Sequence, residues 1–372
     1  IAVGEARLTW AEGKRLIDRM ALGLVELGIQ RDQIVALQLP NCAELFLLRA
    51  AGERAGIIFA SIMPTMRHAE VKAVLAHTEA AAIVIPWQHH GFDYFEMVQE
   101  IRYDVPSLKH IIVQGGRVPP DAVPLWNIRE QSLEDKDTPD HPEMAGMSST
   151  ETCFILTTTG TTGPPKCIEV AAAPRQFTSR VVNKRHRIAW DDVIGVFCPG
   201  FSGLAEDFYC GAPMAGAKLV MGEDFAPEEL LRLIEKEMVT AIVTVPTILV
   251  RMFSHPDLDR RDLSSLRSVR YSGAPLPYKQ GLEAEEKLGC RLIPHYGAND
   301  VAMVTTGAWD DPREARLRSV GRPADGLEVK LFDDSEQEVP PGEVGEVVVR
   351  GPHCMPGYHK EPDALAEAWR GG

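Results

Sequence analysis

The chain has 372 residues, too many for one small core, so two or three domains are expected. Apolar residues at 45% and charged residues at 25% are the proportions of a soluble globular protein, and no apolar run approaches the length of a membrane span. The formal net charge of -14 disfavours a nucleic-acid partner, because phosphate backbones recruit basic surfaces, but it leaves room for a small phosphorylated ligand held by a local loop and a cation.

The opening Ile1-Ala2-Val3-Gly4-Glu5 has no basic start leading into an apolar stretch, so it does not read as a signal peptide. Next, Thr9-Trp10-Ala11-Glu12 carries a capping-box pattern. Leu16, Met20, Leu24 and Leu27 follow at helical spacing until Gly28 stops the run. The pattern predicts a strand over 34–39, a helix over 43–55 ending at Gly56, a strand over 57–60, a helix over 71–77 and a buried strand over 81–85. Continuous apolar strands between amphipathic helices indicate a mostly parallel, doubly wound sheet. Residues 115–150, rich in Pro, Asp and Glu, read as a long surface connection. A second α/β stretch runs over 151–306, with a helix near 227–237 and a strand over 241–245. From about 318 the texture turns to short strands, 327–332 and 345–350, between acidic and Pro/Gly turns. Seven cysteines with no C-x-x-C pair argue against a disulfide framework or a zinc site and fit a reducing cytoplasm.

The sharpest feature is Thr157-Thr158-Thr159-Gly160-Thr161-Thr162-Gly163-Pro164-Pro165-Lys166, directly after the strand-like Cys153-Phe154-Ile155-Leu156. Its glycines let backbone N–H groups approach an anion, its hydroxyls are neutral donors, and Lys166 adds a positive charge. It is not the Walker loop, because Pro165 rather than Gly precedes the lysine and Cys167 rather than Ser or Thr follows it. Further along, Tyr296 offers an aromatic face, Gly297 room for a ring, Asn299 a donor, and Asp300 a hard oxygen suited to Mg²⁺.

Residues 158–166 resemble, at every place, the phosphate loop of the adenylate-forming superfamily. That family includes acyl-CoA synthetases, aryl-acid-AMP ligases, peptide-synthetase adenylation domains and firefly luciferase. Other segments match in the family's order: Val245-Pro246-Thr247, Ser272-Gly273-Ala274-Pro275-Leu276, Tyr296-Gly297-Ala298-Asn299-Asp300, Gly342-Glu343-Val344-Gly345-Glu346, Arg350-Gly351-Pro352 and Met355-Pro356-Gly357-Tyr358. Pro64-Thr65-Met66-Arg67-His68-Ala69-Glu70 and Gly91-Phe92-Asp93-Tyr94 resemble the aryl-acid-AMP ligases and the aromatic or alicyclic acid-CoA ligases. The resemblance implies the N-terminal domain of such an enzyme: two packed doubly wound α/β lobes, 1–150 and 151–317, and a small β-barrel-like subdomain, 318–372.

It also implies a reaction. MgATP converts a carboxylic acid, aromatic or alicyclic, to its acyl-AMP with release of pyrophosphate, and the acyl group then passes to the thiol of CoA. Loading of a carrier-protein pantetheine and a non-catalytic acyl-nucleotide binding module are the alternatives. Thr158, Thr159, Gly160, Thr161, Thr162, Gly163 and Lys166 would clamp the departing phosphates. Ser272, Gly273, Ala274, Pro275, Tyr296, Gly297 and Asn299 would hold the nucleotide, with Asp300 on Mg²⁺. Phe201, Ser202, Gly203, Gly273, Gly297 and Ala298 would shape a largely apolar acyl pocket. Asn299, Asp300 and Lys166 would serve catalysis. A homodimer is among the expected assemblies, and no membrane span is expected.

Two places depart from the family pattern. Val170-Ala171-Ala172-Ala173-Pro174 stands where many members carry Thr-His. Phe201-Ser202 stands where an aromatic is often followed by His, which implies a different or roomier pocket. The family's Thr-Gly-Asp motif and its small C-terminal domain, with a lysine that contacts the reacting groups, are absent, so the sequence reads as part of a longer protein.

Overall fold

Short runs of branched apolar residues become strands, and the amphipathic stretches between them become helices. The structure, a computed structural model, describes residues 1–3, 6–116, 118–130, 146–158 and 165–369. The chain separates into two units, Ile1–Ala172 with Pro356–Gly372, and Ala173–Met355.

In the first unit β1 (Ile34–Leu37), β2 (Ile58–Ser61), β3 (Ala82–Pro86), β4 (His110–Gln114) and the short β5 (Val123–Pro124) run parallel. β6 (Thr152–Thr157) joins parallel to β2, and β7 (Cys167–Ala171) turns back antiparallel to β6. The order is Gly357–Tyr358, β7, β6, β2, β1, β3, β4, β5. Every residue of β1 and β3 is buried, as expected of parallel strands covered on both sides. Ile83, Ile85, Val74, Leu75 and Val98 share one core cluster, and full burial of each such side chain contributes about 1.5–3 kcal/mol. The capping box at Thr9 opens the helix Trp10–Glu26, and Gly56, at φ 76°, closes the helix Ala43–Ala55, both where the sequence predicts them.

The second unit repeats this plan. β8 (Val193–Phe197), β9 (Lys218–Met221), β10 (Ala241–Thr244), β11 (Ser268–Tyr271) and β12 (Arg291–Ala298) are parallel, and β13 (Ala302–Thr306) folds back on β12. Within the unit the order is β9, β8, β10, β11, β12, β13, Arg322–Pro323. In each unit the first of these parallel strands ends up inside the sheet, with the second on one side and the third on the other. That is a topological switch point.

The two compact units part at Ala172/Ala173, and β6 and β7 belong to the first sheet. The terminal β unit shows no barrel closure among the described residues. β14 (Glu328–Phe332) and β15 (Glu346–Arg350) pair only with each other, while Gly357–Tyr358 pairs with β7. The long connection carries secondary structure: β5 and the helix Leu125–Arg129 lie in it, with Leu125 and Ile128 buried, and residues 131–145 lie outside the described residues. No helix among the described residues is long and apolar enough to cross a membrane.

Candidate functional site

The ladder of the second unit aligns Phe197 with Thr244, Thr244 with Tyr271, and Tyr271 with Pro294. These residues stand at the same level of four adjacent parallel strands. The segments that follow them therefore leave one carboxyl edge: residues 198–203 after β8, 245–247 after β10, 272–275 after β11, and 295–300 at the end of β12. Three of the four carry the nucleotide and acyl residues singled out in the sequence. In open α/β sheets the crevice outside this edge, at the switch point, is where ligands bind. The switch point here is the end of β8, so Phe201, Ser202 and Gly203 occupy it.

Local chemistry shapes each segment. Ser202 precedes the helix Gly203–Ala215, but its hydroxyl donates to Pro199 O at 2.6 Å and makes no cap bond to the helix. Thr244 Oγ1 donates to Phe197 O at 2.8 Å, tying β10 to β8 below the edge. Ser272 is buried, whereas Gly273, Ala274 and Pro275 are exposed, and Gly273 has φ +90°. Tyr296 is 41% exposed, open to stacking by a ligand ring. Gly297 is required by the backbone. A Cβ there would sit 2.1 Å from Ala302 O, in a register shift between β12 and β13. The expected role of leaving room for a ring is joined by this stricter one.

Asn299 and Asp300 are half-buried in the turn between β12 and β13. Among the described residues no group of three or more His, Cys, Asp or Glu side chains forms a metal cage. A single carboxylate fits a cation that brings other ligands with it, as Mg²⁺ does on a nucleotide's phosphates.

The phosphate-loop residues belong to the first unit. Thr159, Gly160, Thr161, Thr162 and Gly163 lie outside the described residues. The two ends of the loop meet at the base of the β6–β7 hairpin. Thr158 N donates to Lys166 O at 3.0 Å, and Lys166 N donates to Thr158 Oγ1 at 3.0 Å. Lys166 is exposed, with its Nζ 5.2 Å from the centre of the Tyr358 ring.

Nothing in the sequence reading singles out Arg270, Asp207 or His295, yet the three meet beneath the carboxyl edge of the second unit, Arg270 and Asp207 buried and His295 half-buried. Arg270 Nη2 donates to Asp207 Oδ2 at 2.5 Å and stands 2.8 Å from His295 Nδ1. Burial first, then the charges of Arg270 and of His186, hold the His295 pKa well below the usual imidazole value. Burial pushes the neighbouring Cys198 thiol up to about 12, so it stays protonated. The available signal was an arginine inside the otherwise uncharged strand Ser268–Tyr271.

The description "AMP-binding enzyme" matches residues 1–359 of this chain. Triostin synthetase I of Streptomyces triostinicus is 32% identical over 368 residues, 96% of this chain and 65% of the relative. The 2-hydroxy-7-methoxy-5-methyl-1-naphthoate–CoA ligase of Streptomyces carzinostaticus is 29% identical over 376 residues, 98% of this chain and 66% of the relative. The crystal structure of the anthranilate CoA ligase AuaEII in complex with anthranoyl-AMP superposes with a TM-score of 0.90 at 22% identity, over 100% of this chain and 70% of that one, and so shares the fold. The chain thus spans about two thirds of the length of the curated relatives it matches. With the family description matching residues 1–359 and so covering both units, the chain belongs to the AMP-binding enzyme family.

Proposed function

We propose that the protein containing this chain activates an aromatic or alicyclic carboxylic acid with MgATP, forming the acyl-AMP and pyrophosphate, and then passes the acyl group to the thiol of CoA. The observation that carries this reading is the placement of residues 201–203, 272–275 and 296–300 on one carboxyl edge, three segments that the family resemblance assigns to acid and nucleotide. The naphthoate–CoA ligase, 29% identical, supports a ring acid and CoA. A carrier-protein pantetheine is the alternative acceptor.

The substrate's own carboxylate is the nucleophile at the α-phosphorus, so the protein needs no nucleophilic side chain. Its task is to orient two anions and to stabilise developing charge. Tyr296 offers its ring to the adenine, and the turn at Ser272, Gly273, Ala274 and Pro275 borders it. Asn299 donates toward an α-phosphate oxygen, and Asp300 holds the Mg²⁺ that travels with the nucleotide. That ion supplies Lewis-acid stabilisation of phosphoryl oxygens when bound. By the resemblance, Lys166 and the residues 158–163 act on the departing phosphates.

The test is ATP–pyrophosphate exchange by the full-length protein across a panel of carboxylic acids. Exchange that depends on a ring acid is expected, followed by acyl-CoA formation when CoA is added. Nucleotide binding without exchange on any acid would leave only an acyl-nucleotide binding module.

A further inference from the structure

Three side chains, Arg270 and Asp207 buried and His295 half-buried, link the roots of the three acid- and nucleotide-binding segments of the second unit. Arg270 lies on β11, two residues before Ser272. His295 lies on β12, directly before Tyr296. Asp207 lies on the helix Gly203–Ala215, which opens at the end of the segment carrying Phe201 and Ser202. The Arg270 side chain is 0% exposed and that of Asp207 8% exposed. One nitrogen, Nη2, serves both partners. It donates to Asp207 Oδ2 at 2.5 Å and stands 2.8 Å from Nδ1 and 3.0 Å from Nε2 of His295. The guanidinium carbon is 5.5 Å from the centre of the Phe208 ring.

This arrangement is a poor way to stabilise a core. Arg270 Nε and Nη1 have no hydrogen-bond partner among the described residues. A buried ion pair with idle donors loses hydration that its Coulomb attraction only partly restores, and a well-packed apolar pair of similar volume is often at least as stable. The guanidinium is also closed off from solvent, so in this structure it presents no surface to a ligand. What it does hold is the relative position of β11, β12 and the helix Gly203–Ala215: the two strands lead into edge segments one or a few residues further along, and the helix follows directly on the third.

We propose that Arg270, Asp207 and His295 form a positioning cluster that sets the spacing of the acid-binding segments and thereby determines which acids are accepted, an inference that rests on the acid-activating function proposed above. His295 takes part as a neutral ring, so that one of its nitrogens accepts from Arg270. Asp207 ties the guanidinium to the helix Gly203–Ala215. Small displacements suffice for a large effect, because reacting groups misplaced by about 1 Å can cost about 10²-fold in rate.

The experiment uses the full-length protein and compares three variants: Arg270→Met with Asp207→Leu together, Asp207→Asn, and Arg270→Lys. Each is measured for melting temperature, for the KM of ATP and for acid-dependent pyrophosphate exchange across the acid panel. The double variant is expected to melt no lower than the parent, since an apolar pair replaces the buried ions. Its KM for the preferred acid should rise about tenfold and its preference among acids should flatten, while the KM for ATP, which the segments after β11 and β12 also serve, should rise by a smaller factor. Asp207→Asn should move acid KM in the same direction, and Arg270→Lys, which keeps the charge, should fall between it and the parent. A lower melting temperature with unchanged acid KM and unchanged acid preference would show a merely structural cluster and overturn the proposal. If the double variant does not fold, Asp207→Asn decides alone: unchanged acid kinetics there overturn it. A parent protein that exchanges with no acid at all overturns the acid-activating function, and this inference falls with it.

Discussion

In the first unit the chain runs from β1 to β2 on one side and then to β3 on the other, and in the second unit it runs from β8 to β9 and then to β10 in the same way. Both therefore have a switch point, yet the two carboxyl edges are filled differently. At the end of β1, Gln38 is 0% exposed and its Nε2 donates to Met63 O at 3.1 Å and Met66 O at 2.9 Å. Ser61 Oγ donates to Ile155 O at 3.3 Å, and Thr157 Oγ1 to Ser61 O at 2.6 Å. Tyr94 donates its hydroxyl hydrogen to Pro64 O at 2.8 Å. The first edge is laced shut by its own side chains. The second presents an exposed Tyr296, an exposed turn at Gly273, Ala274 and Pro275, and the half-buried Phe201, Ser202, Asn299 and Asp300. Topology offers a crevice at both places, and the side chains that follow each strand decide whether it stays open.

On this comparison the proposed contribution of the first unit comes from its β6–β7 hairpin rather than from its switch point. Lys166→Ala is the sharpest probe. Lys166 is exposed and its aromatic neighbour is 5.2 Å away, so the variant should melt as the parent does. On the role proposed for Lys166 at the leaving phosphates, removing its charge should slow pyrophosphate exchange by about 10²–10³-fold. Exchange at the parental rate would remove the first unit from the reaction.

The second unit's open edge depends on close backbone packing beneath it. Gly297→Ala would place a methyl group 2.1 Å from Ala302 O, and a carbonyl in a paired strand cannot step aside without breaking the β12–β13 register. The expected cost is about 3 kcal/mol, read as a lower denaturant midpoint together with lost exchange. Gly273→Ala, where the nearest atom would be Val245 Cγ1 at 3.6 Å, should cost less and serves as the control: there the strain comes from φ +90° alone. Equal losses at the two glycines would show that the register shift is not what Gly297 protects.

Most strands and the capped helices were legible in the sequence because their signals are local. The capping box at Thr9, the αL glycine at Gly56 and the proline that opens the helix Pro227–Glu237 mark ends that tertiary contacts do not move. The boundary between units was less legible. Whether β6 and β7 belong to the first sheet or the second depends on pairing with β2, a contact across roughly a hundred residues that no periodicity encodes. The candidate site was readable where its residues are unusual in type, as in the Thr/Gly run before Lys166 and in the Tyr296 to Asp300 stretch. Arg270, Asp207 and His295 were not readable. They are far apart in the sequence, and only the fold brings the three together.

Gln38→Leu tests the closed edge directly. The amide nitrogen makes two hydrogen bonds, to Met63 O and Met66 O, in a site without solvent, and Oε1 has no partner among the described residues. Leucine has nearly the same volume, so packing is retained and no cavity opens. Two bonds at about 1 kcal/mol each are lost, and part of that is offset by removing the unpaired buried oxygen. The net expectation is a destabilisation of about 1–2 kcal/mol, seen as a lower urea midpoint with an unchanged slope. Since Gln38 joins two backbone segments of the first unit and faces no open surface, the folded variant should retain the parental KM for acid and for ATP. The opposite pattern, intact stability with a changed KM, would mean that the end of β1 meets a ligand. The distinction between a closed first edge and an open second one would then fail, because a laced switch point would be serving as a binding surface after all.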